Sequence, residues 1–185
     1  MVMTNTFLDE TTALLARTPR VLLELLVNLP EALLEGRDTP DGWQPRDVVG
    51  HLMSAELDGW IPRAEMIMEH GPDRPFEPFD RLAHVNRDRD VPMPGLLARF
   101  AELRAAKLDR LHELVTDADL DRIGRHPSLG DVTMRQLLAT WAVHDLDHVA
   151  QVFAALSATQ DTTVGPWKGY LGILLRREDP SAVPG

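Results

Sequence analysis

The sequence predicts an all-α protein built as a four-helix bundle. Apolar residues recur at steps of three and four along four long segments, the spacing of one helix face. Strand-like alternation is scarce, and turn clusters such as Asp38-Thr-Pro-Asp-Gly42 fall between the segments. The 185 residues, 44% of them hydrophobic, suffice for one domain around one core, read over 1–185 with the packed part near 6–176.

The first helix is predicted over 6–28, with Leu8, Leu14, Leu15, Val21, Leu22, Leu25 and Leu26 as its apolar residues. Thr18-Pro19 reads as a cap followed by a first-turn proline, so a kink or restart is expected there. Residues 29–35 add a short helical turn. The second helix runs from Pro45 to His70, disturbed at Pro62, and Gly71-Pro72 ends it. Residues 71–94 contain Pro72, Pro75, Pro78, Pro92 and Pro94 and little helical pattern. A connection of that length reaches about 80 Å when extended, against about 39 Å for the second helix. It can therefore return the chain to that helix's starting end and make helices two and three parallel.

Helix three is predicted from Gly95 to Thr116, with Leu96, Leu97, Phe100, Leu103, Leu108, Leu111 and Leu114. A polar loop covers 117–131. Thr133-Met-Arg-Gln136 has the form of a capping box, in which hydroxyl and amide satisfy free backbone donors. Helix four follows to about Ser157, and residues 165–175 form a short helix packed on the bundle.

Helix four carries the chemistry. Leu137, Trp141, His144, His148 and Gln151 form one stripe, so the i, i+4 histidine pair faces the bundle interior. Interior imidazoles need partners for their ring nitrogens, and one divalent ion serves both. The pair can also be two hydrogen-bonded side chains. His51, in the apolar run Val48-Val-Gly-His-Leu-Met53, would add a third nitrogen from helix two; alone it reads as a core histidine. Ser54 and Asp58 share its face and are candidate pocket residues, as are Trp141 and Gln151. Asp145 could orient an imidazole of another helix or make a structural hydrogen bond or ion pair. His70 stands at a helix end, His84 in the long connection, and His112 beside Glu113 on a solvated face. His126 sits in a loop that could fold over the site.

Composition narrows the possibilities. The net charge of −10 argues against nucleic-acid binding and against anionic lipid. No apolar run approaches a membrane span, and the N-terminus has no secretory pattern, which predicts a cytoplasmic protein. Cysteine is absent. Any metal is then held by nitrogen and oxygen, and any thiol chemistry uses a thiol from outside. Three imidazoles suit zinc or nickel first, and also iron or copper.

The chain resembles the DinB superfamily. Gly42-Trp-Gln-Pro-Arg-Asp-Val-Val-Gly-His-Leu-Met-Ser-Ala-Glu56 is similar to the family's Trp-Ser/Thr-x-x-Glu-Val-x-x-His-Leu segment, with Gln44 and Asp47 as departures. The segment 124–138, His144-Asp-Leu-Asp-His-Val-Ala-Gln151 and Val164-Gly-Pro-Trp-Lys-Gly-Tyr170 resemble the later part of one branch. The resemblance implies a bundle in up-down-down-up order and a divalent ion held by His51, His144 and His148. It also implies a homodimer. Relatives include thiol-dependent transferases and a mycothiol-dependent maleylpyruvate isomerase. The expected function is a metal-dependent enzyme acting on a small-molecule substrate, activating a low-molecular-weight thiol (transferase- or isomerase-like) or a water (hydrolase-like). The alternatives are a metal-binding or stress protein without turnover, or a bundle with purely structural histidines. Fold and metal site transfer between relatives better than reaction does.

Overall fold

The computed structural model describes residues 6–80, 82, 83, 87 and 90–178. The expectation for His84 lies outside them. Eight α-helices are described: α1 (Phe7–Leu15), α2 (Thr18–Leu26), α3 (Glu31–Leu34), α4 (Pro45–Asp58), α5 (Trp60–His70), α6 (Met93–Leu114), α7 (Met134–Ala158) and α8 (Gly172–Glu178). An antiparallel hairpin, β1 (Ile123–His126) and β2 (Gly130–Thr133), precedes α7. Among the described residues no helix is long and apolar enough to cross a membrane.

Two apolar clusters set the topology. One packs Leu8 and Leu15 of the first helix against Ile61, Ala64 and Ile67, Leu111, and Met134 to Trp141. The other packs Leu22 and Leu26 against Val48 to Met53, Met93 to Phe100, and Val152. The α1–α2 helix therefore starts in the first cluster and ends in the second. The α4–α5 helix and α6 both run from the second to the first, and α7 returns. This is the up-down-down-up order, with the long connection between α5 and α6.

Two prolines coincide with breaks in the long helices. The first helix restarts at residue 18, where Pro19 occupies the first turn of α2. Its N-cap is Arg17 without a side-chain cap, and Thr18 is buried as the first helical residue; the predicted Thr18 cap is corrected. In the second helix the break falls at Gly59, ahead of the predicted Pro62. A proline's ring collides with the carbonyl four residues back, here that of Asp58. Ending α4 at Asp58 and restarting at Trp60 leaves Pro62 in a first turn that has no partner for its N–H anyway.

The capping box of α7 forms as expected: Gln136 N donates to Thr133 Oγ1 at 3.2 Å, and Thr133 N to Gln136 Oε1 at 2.9 Å. The loop expected over 117–131 is instead largely the hairpin. Its strands are too short and polar for a pattern to emerge, and tertiary contacts hold it. Phe76 N donates to Arg125 O at 2.9 Å, and Gly124 lies so close to Ile67 and Phe76 that a Cβ would sit 2.5 Å from Ile67.

Candidate metal centre

His51 projects from the middle of α4, and His144 and His148 project from α7, which packs against it. One candidate donor nitrogen from each ring lies within 4.8 Å of the other two. Ring centroids are 5.2 Å apart for His51 and His144, 4.7 Å for His51 and His148, and 4.4 Å for His144 and His148. The Nε2 atoms of His51 and His144 approach to 3.2 Å. Two nitrogens bound about 2.0–2.1 Å from one tetrahedral ion stand about 3.3 Å apart, so this donor set fits a metal. His51 and His148 are buried and His144 is half-buried.

A hydrogen-bond relay fixes the tautomer of His148. The Asp38 carboxylate can only accept, so the amide nitrogen of Gln151 faces it, at 2.9 Å from Oδ2. That turns Gln151 Oε1 towards His148 Nδ1, at 2.8 Å. Nδ1 must then be the donor, which leaves the lone pair on Nε2 facing the other rings. Gln151 was expected on this stripe; its partner Asp38, 113 residues away, has no sequence signal. Trp43, part of the motif before His51, packs on His51 at 4.8 Å and stacks on His148 at 6.0 Å.

The other candidates divide differently. Trp141 is fully buried, and its indole N–H donates to Glu56 Oε1 at 3.1 Å. Asp145 takes the structural role: it accepts from Arg104 at 2.6 and 3.1 Å. Arg104 also donates to Glu56 at 2.7 Å and to the Leu15 carbonyl at 2.7 Å. This buried group ties the four bundle helices together behind the histidines. Burial pushes the Glu56 carboxyl up, against the pull of Arg104. Ser54 is buried and accepts from Arg87 at 2.6 Å, and Asp58 is exposed; neither lines the cleft. His70 ends α5 beside Glu69, and His112 is exposed. His126 closes β1, where its Nδ1 accepts from the Ser128 and Leu129 amides at 3.1 and 3.2 Å.

A cleft of about 300 Å³ opens onto the three histidines. Trp60 and Phe79 form aromatic walls, and Arg63 and Asp147 supply charge. Sequence reasoning missed Trp60, Arg63 and Phe79. The break at Gly59 shifts the helical register, and Phe79 arrives from the irregular connection to lie 5.8 Å from His51. Asp147 had a signal, since it sits three residues after His144 on one helix.

A helical bundle with three clustered imidazoles at an open cleft defines a candidate mononuclear metal protein. The chain belongs to the DinB superfamily, whose pattern matches residues 14–152. It is similar to two proteins named "Putative metal-dependent hydrolase". The one from Oceanobacillus iheyensis is 23% identical over 80% of this chain and 86% of its own length. The one from Bacillus licheniformis is 27% identical over 76% and 80%. Among solved structures, YfiT from Bacillus subtilis matches with a TM-score of 0.69 at 25% identity, over 81% of this chain and 85% of that one. YfiT is described as a probable metal-dependent hydrolase with an unusual four-helix bundle topology.

Proposed function

We propose that this protein is a metal-dependent hydrolase of a small-molecule substrate, with one divalent ion held by His51, His144 and His148 through their Nε2 atoms. The observation that carries this reading is the convergence of three imidazole nitrogens within 4.8 Å at the cleft. Zinc or nickel suits the set first, and iron or copper also. When bound, such an ion supplies Lewis acidity and makes water a competent nucleophile at a pH of about 7. Gln151 and Asp38 hold the His148 ring in the ligating tautomer. Trp43 packs over His51 and His148 and limits water behind the site. Asp147 lines the cleft beside His144 and His148 and is the carboxylate placed to take the proton released by the attacking water. Trp60 and Phe79 bound the space for the substrate's apolar part.

The names of the relatives favour water over an external thiol as the nucleophile. The test is metal analysis of protein purified without a histidine tag, joined to ester-hydrolysis and thiol-transfer assays on wild type and His148→Ala. About one ion per chain and hydrolysis without thiol, both lost in the variant, support the reading. Turnover only with added thiol moves it to thiol transfer. Bound metal without turnover over a broad panel leaves a metal-binding protein, and no bound metal leaves structural histidines.

A homodimer is part of the same proposal. Val143, Leu146 and Phe153 are 63%, 52% and 42% exposed on one stripe of α7, opposite its buried face. An apolar stripe of this kind is suited to burial against a second copy.

A further inference from the structure

Arg63 stands one helical turn after Trp60 on α5, and both line the cleft. Its guanidinium lies 5.7 Å above the Phe76 ring. Among the described residues it meets no carboxylate, and its Nε is buried without an acceptor. Other arginines of the chain are matched: Arg104 to Glu56 and Asp145, Arg110 to Glu65, Arg125 to Asp131. A half-buried cation without a carboxylate partner loses hydration that no ion pair offsets. The Arg63 charge and the aromatic walls complement an anion with an apolar body, while the Asp147 carboxylate, on α7 beside His144 and His148, lines the reacting end of the cleft.

We infer that Arg63 anchors the carboxylate of a small, monoanionic substrate whose apolar part lies between Trp60 and Phe79 and whose scissile bond faces the histidines. This rests on the hydrolase reading for the scissile bond, but not for the anchor itself. A guanidinium binds carboxylate and phosphate alike through its fork of N–H groups. One guanidinium neutralises one charge, and the net charge of −10 disfavours a second negative charge on the ligand. The cleft's size, about 300 Å³, is at the lower end for ligand pockets and fits a small molecule. Arg63 is thus a specificity residue that selects which esters or amides reach the histidines.

The test is calorimetric titration of benzoate, its neutral isostere benzamide, and phenyl phosphate into the full-length, chelator-treated protein. Wild type, Arg63→Met and Arg63→Lys are compared, with zinc titrated separately into each. Benzoate is expected to bind wild type about tenfold more tightly than benzamide, the difference one charge-assisted pair supplies. Arg63→Met loses that preference while melting no lower and binding zinc within about twofold of wild type; Arg63→Lys keeps part of it. Equal affinity for benzoate and benzamide, a preference that survives Arg63→Met, or no binding of either overturns the inference. Tighter binding of phenyl phosphate than of benzoate overturns the carboxylate assignment. Failure of zinc to bind, with the benzoate preference intact, sinks the metal reading and leaves the anchor standing.

Discussion

His148 illustrates how a single side chain becomes chemically specific. Its spacing from His144 puts both rings on one face, but spacing does not decide which nitrogen faces inward. The Asp38–Gln151–His148 relay does so, because each acceptor in turn dictates the orientation of the next donor. Gln151→Ala is therefore expected to lower metal affinity by about 10- to 100-fold without unfolding the chain. Competition with a chelating dye measures it; an unchanged affinity would show that the tautomer is fixed by something else. Gly124 acts at the same scale by having no side chain. Gly124→Ala drives a methyl into Ile67 and Phe76 and is expected to cost about 1–3 kcal/mol, read as a lower midpoint of urea unfolding.

Between helices, the buried Arg104 group decides how the elements meet. Two acidic side chains share one guanidinium in this buried group. Removing the cation strands both acids, and Arg104→Met is expected to destabilise by about 3–5 kcal/mol, measured by denaturant unfolding. Glu56 responds to pH in a definite direction. Burial raises its carboxyl above the ordinary 4.5, with Arg104 opposing and Asp145 reinforcing. The folded chain then holds this proton more tightly than the unfolded chain, so the group's contribution is lost as pH rises from 4.5 through the raised value. Glu56→Gln keeps an acceptor for Trp141 and removes this dependence. Its stability is expected to fall less than that of wild type as pH rises above 4.5; equal slopes would refute the assignment. The break at Gly59 matters at this scale too, since it turns Trp60 and Arg63 into the cleft while Pro62 sits harmlessly in the first turn of α5.

The whole molecule places one apolar cluster towards each end of the bundle, with the Glu56, Arg104 and Asp145 group between them and His51 set among the second cluster's residues on α4. The exposed stripe of α7 faces away from both. If it joins two copies, Leu146→Glu combined with Phe153→Glu converts dimer to monomer by analytical ultracentrifugation while zinc affinity stays within about twofold. A wild-type monomer at micromolar concentration would remove that part of the proposal.

The sequence alone determined the four bundle helices, their apolar faces, the cap at Thr133 and the pairing of His144 with His148. These are local properties, set by helical periodicity and by side chains reaching three or four residues along the chain. The motif around His51 extended the reading to a third histidine through resemblance. Tertiary structure decided the rest. It brought Asp38 to Gln151, assigned Asp145 to Arg104 in place of an imidazole, folded residues 123–133 into a hairpin, and gathered Trp60, Arg63 and Phe79 around the histidines. The hairpin pairs residues four to ten apart but is too short and polar to show a pattern; the other contacts join residues dozens of positions apart, across a helix break and an irregular connection, where no period carries register from one partner to the other.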